Sequence, residues 1–130
     1  MNYKEAFARY GVRLTTNYHM SGVAPNGDIV LALWEHLFRK GQEPQTLEIE
    51  EDFSGWKAGG PRNEFVKLIK LAQAEHRPVR LIVVTQKVAT DVATVAQTGN
   101  VKDASPREHL VGEIITASDS FYKMVFRRST

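Results

Sequence analysis

The chain has 130 residues, 42% of them hydrophobic and 25% charged, enough for a single domain over 1–130 whose core needs no metal or disulfide support. It contains no cysteine, which excludes a disulfide framework, a thiolate metal site and a cysteine nucleophile, and which fits a reducing cytoplasm. The net charge of +2 is unevenly placed: residues 1–60 carry 6 basic and 8 acidic side chains, residues 61–130 carry 11 and 7, an asymmetry that points to a polyanionic partner.

The first ten residues are charged where a signal peptide needs an apolar stretch, and no apolar run approaches the roughly 18 residues a bilayer span requires. A cytoplasmic protein with no membrane partner is expected. Residues 2–9 predict a short amphipathic helix with Tyr3, Ala6, Phe7 and Tyr10 on one side and Gly11 as its stop. Alternation of Val12, Leu14, Thr16 and Tyr18 with polar neighbours predicts a half-buried strand. The run Ala24-Pro25-Asn26-Gly27-Asp28 supplies turn chemistry, and 29–34 is so continuously apolar that it predicts a central strand. Residues 35–40 are compatible with either extended chain or a short helix. Thr46 to Phe53 sets Leu47, Ile49 and Phe53 against Glu48, Glu50, Glu51 and Asp52, the pattern of a solvent-edged strand.

The clearest unit spans 59–85. Gly59-Gly60-Pro61 opens a helix over 61–77 whose Phe65, Leu68, Ile69 and Ala72 form an apolar stripe, Pro78 ends it, and 79–85 is a β-branched, buried strand. Residues 86–107 carry Gly99, Asn100 and Pro106 and predict a long excursion, while 111–116 and 121–127 predict a hairpin around Ala117-Ser118-Asp119-Ser120. Without repeated βα alternation, the fold class is α+β: a small, mostly antiparallel barrel or open sheet with one main helix and a short N-terminal one.

Candidate chemistry is sparse. Glu48, Glu50, Glu51 and Asp52 could supply oxygen ligands to a divalent ion, but they equally suit a charged edge strand, and the acid-and-lysine pair of a restriction nuclease is missing near Gln86-Lys87. His19, His36, His76 and His109 are scattered singly, so no metal or other cofactor is expected, and no serine lies in a nucleophile-elbow context. Gly59-Gly60 with Arg62 makes a generic anion site at most. The aromatic set Tyr18, Trp34, Phe38, Phe53 and Trp56, facing the basic second half, is what base stacking with phosphate contact requires, and the glycine-rich stretch around Trp56 suggests an indole displayed on a loop.

The segment Gly27-Asp28-Ile29-Val30-Leu31-Ala32-Leu33-Trp34, the helix over 61–77 and the strand over 79–85 together resemble, in element order, the PUA-like superfamily, the pseudo-barrels that include the SRA, YTH and EVE modified-base readers. The resemblance implies a PUA-like fold and a flipped or modified base held by aromatic side chains, a role that falls on Trp34, Trp56 and Tyr18. The expected function is a non-enzymatic nucleic-acid-binding module, for DNA or RNA, with phosphate contacts from Arg62, Lys67, Lys70, Arg77, Arg80, Arg127 and Arg128. The alternatives are a small protein-binding or inhibitory protein of the phage or mobile-element type, since aromatics and arginine also favour protein interfaces, and a metal-dependent nuclease built on Glu48 to Asp52.

Overall fold

The structure is a computed structural model that describes residues 1–14, 19–87 and 101–129. Its elements are α1 (Tyr3–Ala8), β1 (Ser21–Val23), β2 (Ile29–Trp34), a 3-10 turn (Glu35–Leu37), β3 (Arg39–Lys40), β4 (Thr46–Asp52), α2 (Gly60–Glu75), β5 (Val79–Gln86), β6 (Val101–Pro106), β7 (Leu110–Ala117) and β8 (Phe121–Arg128). The eight strands form one sheet in the order β1-β2-β5-β7-β8-β4-β3, with β6 also paired to β5. All pairings are antiparallel except β2 with β5. The α+β class with a mostly antiparallel sheet is as expected, and the sheet is open rather than closed into a barrel.

Local chemistry accounts for the element ends. Asn2 caps α1, its Oδ1 accepting the Glu5 N–H at 2.8 Å, and Gly11 takes φ +79° to turn the chain away. The turn before β2 is closed by Ala24 N–H to Asp28 O and tied by Asp28 N–H to Asn26 Oδ1. Helix α2 ends at Glu75, two residues before Arg77, because His76 adopts a left-handed conformation (φ 53°), and Arg77 N–H returns to Ala72 O. Ser118 Oγ accepts the Phe121 N–H at 3.0 Å in the β7–β8 turn.

Two expectations need correction. Residues 12–14 form no strand, Val12 packing against Gly22 instead, and among the described residues the first strand is Ser21–Val23. Residues 15–18, including Tyr18, lie outside the described residues, as does 88–100. The predicted excursion over 86–107 contains β6, whose residues pair with β5 from Ile82 to Gln86. The breaker residues Gly99, Asn100 and Pro106 hide this strand in the sequence, yet Pro106 sits at its last position, where a ladder N–H is not needed.

Register assigns the faces. Directly opposed residues share a side, so Ile29, Leu31 and Leu33 of β2 align with Val79, Leu81 and Val83 of β5, and Leu47, Ile49 and Glu51 of β4 align with Phe126, Met124 and Tyr122 of β8. Helix α2 lays Phe65, Leu68, Ile69 and Ala72 into the core, each large apolar side chain contributing about 1.5–3 kcal/mol. Phe65 meets Phe53, Trp56 and Tyr122 with ring centroids 5.1–5.7 Å apart. The other face of β2 and β5, with Val30, Ala32, Trp34, Ile82 and Val84, is also buried, as a central strand requires. Among the described residues no helix is long and apolar enough to cross a membrane.

Candidate ligand-binding cleft

The face that carries Tyr122, Met124 and Phe126 runs on to Arg128 at the end of β8, and there the core opens into a cleft of about 840 Å³. Alternation decides what lines it. In β3, Lys40 opposes Leu47 and both line the cleft, whereas Arg39 opposes Glu48 on the reverse side. In β8, Arg128 opposes Leu110 and lines the cleft, whereas Arg127 points the other way to Glu43 (3.7 Å) and Glu113 (3.6 Å). Val83 forms part of the floor, and Arg107 and His109 enter from the corner between β6 and β7.

The cleft thus gathers Lys40, Arg107, Arg128 and His109 with the half-buried ring of Phe38. Phe38 is fixed edge-on to Phe126, centroids 5.9 Å apart. Lys40, Arg107 and Arg128 make no ion pair with an acidic side chain among the described residues. Two carboxylates, Glu35 and Glu43, also reach the lining, and Glu43 is the one paired with Arg127.

Strand β4 gives the cleft Thr46 and Leu47, and its acidic run lies outside the lining. Glu48, nearly buried, accepts the Gln42 N–H at 3.0 Å and faces Arg39 and Lys123 at 4.0 and 3.9 Å, which holds the β3–β4 connection in place. Glu50 pairs with Arg39, and Asp52 accepts the Ser54 N–H, which holds its carboxyl below the usual range. Glu51 faces the opposite way, into the core. Strand alternation therefore divides the four carboxylates, and among the described residues no group of three or more His, Asp or Glu side chains could hold a metal ion.

Glu51 lies at the far end of the cleft's own face. It accepts the Tyr122 O–H at 2.8 Å beside the Trp56 indole, whose Nε1 makes no hydrogen bond of ordinary geometry. Burial pushes its carboxyl up to about 7, against the smaller lowering effects of Tyr122 and Trp56. Tyr122 is raised well above its ordinary value, by burial first and then by the Glu51 charge.

The expected site residues are mostly dispersed. Trp34 is 1% exposed and shares the side of Val84, opposite to Val83 and the cleft. Trp56 is 5% exposed, packed against Phe53 and Phe65 at 4.9 and 5.1 Å, so its indole covers the start of α2 rather than standing on a loop. Neither tryptophan offers a free face for stacking. Arg62 donates to Trp56 O and Asp119 O and lies over Phe53, Lys70 pairs with Asp119, Arg77 pairs with Glu75 and donates to Gly27 O, and Arg80 donates to Glu108 O over the Tyr10 ring. Lys67 is exposed on α2. Apart from Lys67, these cations are engaged at turns and element ends. Of the expected phosphate contacts only Arg128 lies in the cleft; it is joined there by Lys40 from β3, and by Arg107 and His109 from a corner that the sequence pattern does not mark because β6 leaves little trace in it. Comparison with known proteins gives no matching family model, curated protein or solved structure.

Proposed function

We propose that this protein is a non-enzymatic module that binds single-stranded nucleic acid in the cleft between the β3–β4 connection and the β6–β7 corner. The observation that carries the reading is the convergence of Lys40, Arg107 and Arg128, without acidic partners among the described residues, around an open cleft walled by Phe38. A polyanion with exposed base faces satisfies both features: cations take the phosphates, and an aromatic ring takes a base. Phe38 fills the stacking role expected of Trp34 and Trp56. The likeness to PUA-like base readers, including a preference for a flipped or modified base, belongs to the same proposal.

Fluorescence anisotropy with labelled oligothymidylate and oligouridylate, read across a salt series, tests it. Three phosphate contacts predict a log-log salt slope of about −2, and Arg107→Ala or Arg128→Ala should each make the slope shallower by about 0.7. Lys67→Ala, on α2 away from the cleft, should leave affinity and slope nearly unchanged. Absence of saturable binding at low salt, or equal losses from Arg107→Ala and Lys67→Ala, refutes the assignment and favours a protein partner for this face.

A further inference from the structure

The cleft holds a carboxylate that phosphate binding does not explain. Glu35 opens the 3-10 turn Glu35–Leu37, and the Phe38 N–H donates to Glu35 O at 3.2 Å, closing that turn. Phe38 follows that turn with extended backbone, and both Glu35 and Phe38 line the cleft. Glu43, the other acid there, is engaged by Arg127, whereas Glu35 has no ion-pair partner among the described residues. A carboxylate without an ion-pair partner in the same cleft as Lys40, Arg107 and Arg128 would repel a bound anion unless it met a donor on the ligand itself.

Resting on the binding reading above, we propose that Glu35 is a specificity-determining residue that selects guanine for the base stacked on Phe38. An ionised carboxylate is an acceptor only, with two oxygens side by side. Guanine presents two adjacent donors on its pairing edge, N1–H and the N2 amino group, which match that pair of oxygens. Uracil and thymine present N3–H between two carbonyls, which a carboxylate repels, and adenine and cytosine present one amino group beside a ring-nitrogen acceptor. Stacking places the base plane against Phe38 and leaves its edge to Glu35, while Lys40, two residues on from Phe38 and on the same strand side, takes the neighbouring phosphate.

Pentameric oligothymidylate and oligouridylate with the central base replaced by guanine, hypoxanthine, adenine or cytosine provide the probes. For the wild-type protein the guanine pentamer should bind about tenfold more tightly than the adenine or cytosine ones. The hypoxanthine pentamer, which lacks only the N2 amino group, should fall between them. Glu35→Gln should flatten the series, and Arg107→Ala should weaken every pentamer alike while keeping guanine first. Equal affinity across the central bases, or a guanine preference that survives Glu35→Gln, overturns the role of Glu35 and leaves the cleft reading standing so long as Arg107→Ala still weakens binding. Failure of all pentamers to bind overturns the binding reading and this inference with it.

Discussion

Glu51→Gln isolates a half-buried carboxyl that burial raises to near neutrality. In the unfolded chain the group titrates at its ordinary 4.5, and in the folded protein burial raises it to about 7. A raised carboxyl binds its proton more tightly when folded, so its destabilising effect is absent below pH 4.5, grows between 4.5 and about 7, and is constant above. The rise from 4.5 to about 7 is about 2.5 pH units at about 1.4 kcal/mol each, a cost on the order of 3 kcal/mol at alkaline pH. Glutamine keeps the side-chain size and an acceptor for Tyr122 O–H, and it carries no charge at any pH. Urea or guanidinium denaturation of both proteins at about pH 4 and about pH 8 gives the required difference, in which all other titrating groups cancel. Glu51→Gln should be more stable than wild type by about 2–3 kcal/mol at pH 8, with that gain shrinking towards zero at pH 4. Tyr122→Phe removes the O–H that favours the ionised form, so it should move the wild-type pH dependence upward. A mutant gain that is the same at both pH values would refute the reasoning, because only titration of Glu51 makes it vary.

Gly112→Ala should destabilise by about 1–3 kcal/mol, since a Cβ there would stand 2.4 Å from Phe126 Cε1 in a ring with no exposed surface, and thermal denaturation reads the loss. Partial recovery in Gly112→Ala with Phe126→Leu would tie the loss to that contact, and no recovery would place it in the backbone instead. His76→Gly should raise stability by about 0.5–1 kcal/mol by removing the left-handed penalty at the end of α2, and a variant less stable than wild type in denaturant titration would contradict this.

Elements whose burial is dictated locally were legible in the sequence. The strand Ile29–Trp34 is apolar at all six positions because both of its faces are covered, and α2 shows its core stripe at helical spacing. The same period-2 rule, once pairing is known, also splits Glu48 and Glu50 from Glu51, which a linear reading grouped as one acidic cluster. What sequence could not give is pairing. Strand β6 has the sequence Val-Lys-Asp-Ala-Ser-Pro, with a single buried residue, Ala104, and it is held mainly by its ladder to β5, so side-chain pattern carries little trace of it. Trp56 illustrates a second limit: its glycine-rich surroundings describe the backbone correctly, yet the indole is buried because Phe53 and Phe65 arrive from β4 and α2.

The two ends of one sheet face explain why the cleft falls where it does. From Glu51 to Leu47 and from Tyr122 to Phe126 the same face passes from core under α2 to the cleft, with Phe126 as the last buried ring and Phe38 set edge-on against it. Past that ring, alternation still points Arg128 and Lys40 inward, and charged side chains cannot be buried there without partners, so the core has to stop and admit water or a counter-charge. Arg107 and His109 reach the same place only because β6 and β7 run along β5 with a three-residue corner between them. A packed core on one side of Phe126 and a group of cations on the other are therefore consequences of a single register. Slipping β8 by one residue against β4 would exchange Arg127 for Arg128 in the cleft, part Arg127 from Glu43 and Glu113, and turn Tyr122, Met124 and Phe126 out of the core. The register that fills the core is the register that charges the cleft.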